Sequence, residues 1–298
     1  MSDRIVDISD HAAYVQVRMG HLEISGDEIG RERIPIGDLG AVVLANPGVL
    51  VSQNALAQLA EAGICVIASD AKRQPVGMLL PLASHSTQSE RFAKQASLSL
   101  PRKKRLWQQL VKAKIAAQAR LLSTLHGRDC GLSALAVRVR SGDPDNLEAQ
   151  AARRYWPVIF SNRSFRRRRD GGGINAALNY GYAVLGSMTA RALAGSGLHP
   201  SLGLSHHNRY DAFCLARDLM EPFRPIVDLS AHGLLGDLGE ECTQRLSIDQ
   251  RRHLLEALGA RYEYVGESRT LFDWIGKSAA SVARVVEGGE PRLMIAEI

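Results

Sequence analysis

Over the first eighty or so residues, hydrophobic and polar positions alternate in short stretches, a pattern that predicts β-strands rather than helices. The predicted strands are 5–8, 14–18, 22–24, 33–36, 41–44, 64–68 and 76–80. Alternation is clear at 14–18 and poor at 5–8, whereas 41–44 and 64–68 are continuously apolar and predict buried strands. Pro35 cannot donate a ladder hydrogen bond, so its strand is predicted to lie at a sheet edge.

One helix interrupts these strands. Ser52 is a suitable N-cap for a helix that continues to Ala62, and Gly63 is suited to end it. Beyond residue 96, helical spacing of the apolar residues dominates. The apolar residues that first show this spacing are Leu106, Leu110, Ile115, Leu121 and Leu122.

The small polar residues at 84–89 have the composition of a linker between these two patterns. The sequence therefore predicts an α+β protein with a small N-terminal β-rich domain, 1–82. A linker, 83–95, leads to a larger all-helical domain, 96–298.

The charge balance adds a candidate partner. The chain has 298 residues, a formal net charge of +6 and a pI of about 9.3, which favours a polyanionic partner without proving one. The densest positive charge lies at 163–169, just before three glycines at 171–173. Such a run repels itself unless a polyanion is near, although it is also compatible with a solvated loop. Phe165 within it is suited either to pack or to stack on a base.

Cysteine usage and hydropathy indicate the cellular compartment. The four cysteines, Cys65, Cys130, Cys214 and Cys242, are far apart and form no CxxC pair, which argues against a zinc ribbon or a disulfide framework. No apolar run approaches ~18 residues, and the first residues contain no apolar signal core. We therefore expect a cytoplasmic protein with no membrane partner.

Candidate chemistry centres on His206, which shortly precedes a helical segment that ends in Asp218 and Glu221. The two acids are three residues apart, so they share a helix face. Upstream, Glu148 begins another helical pattern. One His and two or three carboxylates suit a divalent cation such as Mg²⁺ or Mn²⁺. In a basic protein, such a set points to phosphodiester chemistry.

Each of these residues also has a purely structural interpretation. Asp145 and Glu148 have the spacing of a capping box, with Glu148 as the third helical residue. Asp218 and Glu221 are also suited to offset Arg217 and Arg224. A lone His is more often a surface or core residue than a ligand, and the adjacent His207 does not change this, because neighbouring side chains diverge.

Four motifs, in order along the chain, make the interpretation specific. They are Glu148-x3-Ala152-Arg153-x-Tyr155-Trp156, Asn175-x2-Leu178-Asn179-Tyr180-Gly181-Tyr182, Gly203-x2-His206, and Asp218-Leu219-x-Glu221-Pro222-Phe223-Arg224-Pro225-x2-Asp228. Together they resemble the CRISPR-associated integrase family, the larger of the two adaptation proteins. The segments 206–209 and 218–225 look most like its type II branch.

The resemblance implies an endonuclease and integrase that joins the 3′-hydroxyl ends of a short foreign DNA fragment to a repeat of the CRISPR array. It implies that Glu148, His206 and Glu221 are catalytic and hold Mg²⁺ or Mn²⁺. Other branches carry Asp where Glu221 stands, so either Asp218 or Glu221 is the direct ligand; we favour Glu221. Asp218 and His207 are then expected to lie behind the ligands.

The resemblance also implies partners. These are double-stranded DNA, a second copy joined through the β-rich domain, and a small ferredoxin-like adaptation protein that completes a hetero-hexamer. The residues predicted to contact DNA are Arg163, Arg166, Arg167, Arg168, Arg169, Tyr155 and Arg224. Two other functions stay open: a stand-alone structure-selective DNA-repair nuclease that uses water as the nucleophile, and a non-catalytic DNA-binding scaffold.

Overall fold

A computed structural model describes residues 3–71, 75–81, 85–169, 171–238 and 245–298. The strands are β1 (Arg4–Ile8), β2 (Tyr14–Arg18), β3 (His21–Gly26), β4 (Gly30–Pro35), β5 (Leu39–Leu44), β6 (Leu50–Val51), β7 (Cys65–Ser69), β8 (Pro75–Leu79), β9 (Arg261–Tyr264) and β10 (Glu267–Thr270). The helices are α1 (Gln53–Glu61), α2 (Gln88–Ala96), α3 (Leu100–His126), α4 (Leu132–Arg138), α5 (Leu147–Ile159), α6 (Ile174–Gly195), α7 (Cys214–Met220), α8 (Arg224–Gly233), α9 (Ile248–Gly259) and α10 (Leu271–Val286). Short 3-10 turns lie at Ile36–Asp38 and Glu221–Phe223.

The N-terminal region contains two four-stranded sheets. The first has the order β1-β5-β7-β8, in which β1, β5 and β7 are parallel and β8 is antiparallel. The second has the order β4-β3-β2-β6. The strand with Pro35 is β4, which lies at a sheet edge as predicted. In this sheet β4 has β3 on one side and no described strand on the other, so a proline without an N–H is tolerated there.

The central strands of the first sheet, β5 and β7, are buried on both faces, which explains why they are continuously apolar. In β5, Ala41 and Val43 belong to the large hydrophobic core shared with the helices. Val42, between them, belongs to the smaller core shared with the second sheet. Successive side chains of a strand point to opposite faces, so one strand connects the two cores.

The C-terminal region is mostly helical and is arranged around α3 and α6. Helix α6 contributes a nearly unbroken set of buried residues, and it packs against α7, α8, α9 and α10 as well as β7. Helix α3 ends at Gly127, whose φ of 68° is the left-handed conformation that favours glycine. The α+β class, with sheets first and helices after, is as predicted.

Two elements were not predicted. The antiparallel hairpin β9–β10 interrupts the helical region, and its short, mixed strands give little periodic signal. Helix α2 occupies most of the segment predicted as a linker. Its Gln95 is buried and donates to the backbone oxygens of His199 and Leu202, which attaches the helix to the loop after α6. Residues 82–84 and Cys242 lie outside the described residues.

Among the helices that the structure describes, none is both long enough and apolar enough to cross a membrane. The three described cysteines, Cys65, Cys130 and Cys214, are free thiols.

Candidate functional site

Two of the predicted site residues meet at a lysine. The Nζ atom of Lys114, on α3, lies 2.6 Å from Oε1 of Glu148 and 2.6 Å from Oε2 of Glu221. The lysine is 8% exposed. Glu148 belongs to α5 and Glu221 to the 3-10 turn after α7, so three separate segments converge on one ammonium group.

The start of α5 positions Glu148. The predicted capping box is wrong: Asn146, not Asp145, precedes the helix, and Glu148 is its second residue. Asp143 caps the helix instead, since its two carboxylate oxygens accept from the backbone N–H groups of Leu147 at 2.9 Å and Glu148 at 3.0 Å. A carboxylate in the first turn is also favoured by the helix dipole.

Glu221 is buried and surrounded by positive charge. Its Oε1 accepts from Arg224 Nη1 at 2.8 Å, while Lys114 faces Oε2. Burial raises the pKa of this carboxyl, but Arg224 and Lys114 lower it more, to about 2. Glu221 is therefore an ionised carboxylate with one cationic side chain beside each of its oxygens.

Asp218 lies behind His206. It is fully buried and its carboxylate accepts from the backbone N–H groups of Leu204 at 2.6 Å and Ser205 at 3.0 Å. Its Oδ1 lies 2.5 Å from Nδ1 of His206. This hydrogen bond is the main reason why the pKa of His206 is raised. The carboxylate oxygens of Asp218 are thus already used in holding the loop and the imidazole ring.

Asp218 and His207 were both predicted to lie behind the ligands, but only Asp218 is buried. The His207 side chain is exposed on the loop. His206 is also exposed, and its ring makes an edge contact with Trp107 at a centroid distance of 5.7 Å. Among the described residues, no three His, Cys, Asp or Glu side chains stand close enough together to hold one ion. The structure thus brings Glu148 and Glu221 to one cation and places His206 and Glu221 in one groove, but it does not bring the three side chains together around one point.

That groove, of about 510 Å³, is lined by apolar and charged side chains from β8, α6, α7, α8, the loop before α6 and the loop that carries His206. Its charged residues are His206, Glu221, Arg167, Arg169, Arg217 and Arg224. Arginines outnumber carboxylates, so the groove suits an anion such as a phosphate. Arg224 lies over the Tyr182 ring at 4.1 Å while it bonds to Glu221.

One arginine of the run, Arg167, is held by hydrogen bonds, while the others are exposed. Arg167 donates to Asn175 Oδ1 at 3.2 Å and Asn179 Oδ1 at 2.6 Å, which fixes it against α6. The side chains of Arg163, Arg166, Arg168 and Arg169 are exposed. Phe165 is buried against Phe160 and Trp156, so it packs and is not available to stack on a base.

Tyr155 is not a DNA contact, contrary to the prediction. It is fully buried, and its hydroxyl donates to Asp228 Oδ2 at 2.8 Å. The Tyr182 hydroxyl donates to the other oxygen of Asp228. The sequence placed Tyr155 next to basic residues, but its helix face is directed into the core.

Sequence reasoning missed Lys114 and the capping role of Asp143. Lys114 stands between Val111 and Ile115 on an otherwise apolar helix face. A basic residue at such a position needs a buried partner, and this was the available signal. The residues near Lys114 in the sequence do not indicate which acids are its partners.

Comparisons with known proteins agree on one family. The family model described as "CRISPR associated protein Cas1" matches residues 6–239. A "CRISPR-associated endonuclease Cas1" from Neisseria meningitidis serogroup C is 37% identical over 230 residues, covering 76% of this chain and 73% of the relative.

Solved structures give the same fold. A casposase bound to integration product superposes with a TM-score of 0.77 at 21% identity, over 97% of this chain and 92% of the other. A chain of a Cas6-RT-Cas1–Cas2 complex superposes with a TM-score of 0.76 at 20% identity, over 99% of this chain and 36% of that one. With the family model matching most of its length, the chain belongs to the Cas1 family of CRISPR-associated proteins.

Proposed function

We propose that this protein is a divalent-metal-dependent DNA endonuclease and integrase of CRISPR adaptation. It inserts short foreign DNA fragments into the repeat array by transesterification from a 3′-hydroxyl. The observation that carries this proposal is the meeting of Glu148 and Glu221 at one cation, beside His206 and an arginine-lined groove. The names of the similar proteins, an endonuclease and a casposase bound to integration product, support the same chemistry.

The donor set fits Mg²⁺ or Mn²⁺. Two carboxylates and an imidazole suit a hard or borderline cation, and the ammonium of Lys114 already stands in for a cation between the carboxylates. Glu148, His206 and Glu221 are the proposed ligands. When bound, the ion supplies Lewis-acid activation of the attacking hydroxyl and screens charge on the phosphate.

The surrounding residues orient these groups. Asp218 takes the Nδ1 side of His206, which leaves Nε2 as the nitrogen for the ion. Because Asp218 already accepts from the backbone and from His206, its surroundings support Glu221 as the direct ligand. Arg224 holds one oxygen of Glu221 and offers the groove a positive charge for phosphate. The exposed arginines, Arg163, Arg166, Arg168 and Arg169, extend that charge.

The proposed partners follow from the family. We propose double-stranded DNA, both as the incoming fragment and as the repeat array. We also propose a homodimer formed through the β-rich domain, 1–82, with the catalytic domain at 96–298. A small ferredoxin-like partner completes a hetero-hexamer; the Cas1–Cas2 complex among the structures of the same fold supports this.

Label transfer tests this function. A labelled short duplex with 3′-hydroxyl ends is incubated with a supercoiled repeat-bearing plasmid, the small partner protein and Mn²⁺. We expect covalent joining of the label to the plasmid, because the 3′-oxygen is the nucleophile. The same duplex with 3′-phosphate or dideoxy ends is not joined, and Glu148→Ala joins neither.

Two outcomes contradict the proposal. Plasmid nicking at equal rates with free and blocked ends, without label transfer, indicates a repair nuclease that uses water. DNA binding without any dependence on a divalent ion or on Glu148 indicates a scaffold. The matched control is Glu297→Ala, since Glu297 pairs with Arg120 at an exposed site in the C-terminal segment.

A further inference from the structure

Lys114 is an unusual residue in its surroundings. On the same face of α3, Leu110, Val111 and Ile115 are fully buried and apolar. The lysine side chain is 10% exposed and ends between two carboxylates, with both oxygens 2.6 Å from Nζ. Burying an ammonium is costly unless it is paired, so these two contacts account for its presence in the core.

The charges of the cluster balance without any metal. Glu148 and Glu221 are negative, and Lys114 and Arg224 are positive and in contact with them. A divalent ion added to this arrangement meets no excess negative charge. The same two oxygens cannot hold both an ammonium and a divalent ion at contact distance, since like charges repel strongly in a buried site.

Of the two cations, Lys114 is the one placed to leave. Arg224 is fixed by its bond to Glu221 Oε1 and by its position over the Tyr182 ring. Lys114 donates to Glu148 Oε1 at 2.6 Å and lies 2.6 Å from Glu221 Oε2, but its flexible four-carbon stem carries a single point charge that is not stacked on a ring of any described residue. Its ammonium contacts Oε1 of Glu148 and Oε2 of Glu221, one oxygen of each proposed glutamate ligand.

We propose that Lys114 is an exchangeable counter-cation, which holds the two glutamate side chains close together in the metal-free protein and is displaced by the incoming divalent ion. This inference rests on the proposed metal site. It makes Lys114 a positioning residue that acts on the metal-free state. It also makes metal binding a competition, in which the lysine weakens apparent affinity while it preserves the shape of the site.

Metal titration of Lys114→Met tests the exchange. Methionine keeps the length of the side chain and removes the charge, so the glutamates repel each other when no ion is present. We expect a lower melting temperature without metal and a Mn²⁺ dissociation constant at least about tenfold tighter by calorimetry, which corresponds to about 1.4 kcal/mol. Lys112→Met is the matched control, because Lys112 is half-buried on the same helix two positions away.

The outcomes separate this inference from the proposed function. If the wild type binds Mn²⁺ and Glu148→Gln abolishes that binding, the metal site stands. Unchanged or weaker Mn²⁺ binding by Lys114→Met then overturns the exchange alone, because a lysine that competes with the ion must weaken its binding. If the wild type and Glu148→Gln bind no Mn²⁺, the metal site itself fails, and the exchange fails with it.

A second measurement is made on the wild type and uses a variant only to assign one signal. The chain has seven lysines, so ¹³Cε-lysine labelling gives a sparse spectrum in which Lys114 is assigned through the spectrum that lacks it in Lys114→Gln. We expect the Lys114 signal of the wild type to move on addition of saturating Mg²⁺, while the Lys112 signal stays in place. A rise in melting temperature shows that Mg²⁺ has bound. If the Lys114 signal then stays in place, the proposal is overturned.

Discussion

Two buried carboxylates seven residues apart differ in the groups that surround them. Glu221 is 4% exposed and Asp228 is 1% exposed, so both are shielded from water. The pKa of Glu221 falls to about 2, whereas the pKa of Asp228 rises to about 6. Burial raises the pKa in both cases and therefore does not explain the difference.

The neighbours explain it. Glu221 contacts two cations, Lys114 and Arg224, which stabilise its charged form more than burial destabilises it. Asp228 accepts hydrogen bonds from two phenols, Tyr155 and Tyr182, which lower its pKa less than burial raises it. In this fold, the carboxylate proposed to bind metal is the one held ionised, and the carboxylate held by tyrosines connects α5, α6 and α8.

The largest effect expected from this comparison is on catalysis. Glu221→Gln should reduce strand joining by at least about a hundredfold, since replacing even the residues behind metal ligands typically costs about 10–100-fold. Asp228→Asn should reduce it far less, because that carboxylate contacts tyrosines inside the core. Label transfer at matched protein concentrations measures both. Equal losses would remove the functional distinction between the two acids.

The choice between the adjacent acids belongs to the same assay. Asp218→Asn should retain more strand joining than Glu221→Gln, because Asp218 acts through His206. An inactive Asp218 variant beside an active Glu221 variant would exchange the two assignments.

The second effect is on stability against pH. The folded pKa of Asp228 is about 6, above its ordinary value of 3.8, so the folded state keeps a proton that the unfolded state has released. Stability from this group is therefore complete below pH 3.8 and declines as pH rises to about 6. Two pH units correspond to about 3 kcal/mol. Urea unfolding of the wild type and Asp228→Asn from pH 4 to 8 measures this contribution. A difference in free energy of unfolding that does not change with pH would contradict the prediction.

A smaller change removes one phenol. Tyr155→Phe should lower the free energy of unfolding by about 1–3 kcal/mol, because it deletes one hydrogen bond to a buried carboxyl. Metal binding should be unaffected, since the Tyr155 hydroxyl bonds to Asp228 and not to a proposed metal ligand. Urea unfolding and Mn²⁺ calorimetry on the same preparation separate the two properties. A weakened affinity for Mn²⁺ would show that the two carboxylates are coupled.

The arginine run gives the smallest effect per residue. Neutralising the exposed Arg166 and Arg168 should weaken DNA binding equally across sequences. It should also flatten the salt dependence of binding by roughly 0.9 in log–log slope for each duplex phosphate that is no longer neutralised. Arg167→Gln should instead lower stability, because Arg167 is bonded to Asn175 and Asn179. An unchanged slope and affinity for the exposed pair would make the run a solvated loop.

The sequence by itself determined most of the local structure. Ser52 caps α1 by accepting from Ala55 N–H at 3.2 Å, and Gly63 follows that helix with a φ of 68°. Pro35 lies on an edge strand. Such features depend on a residue and its nearest neighbours in the chain, so a pattern of residue types is enough to predict them. The four ordered motifs likewise identified the family, because their residue types can be recognised without knowledge of their contacts.

The tertiary structure alone decided how the site is held. Lys114 meets Glu148 and Glu221 from a separate helix, and Asp143 rather than Asp145 caps α5. Tyr155 is directed into the core and not toward DNA. The energy of a buried charge depends on every group within a few ångströms, whatever its distance along the chain. Local patterns therefore located the acids, and only packing established which of them stands beside a cation.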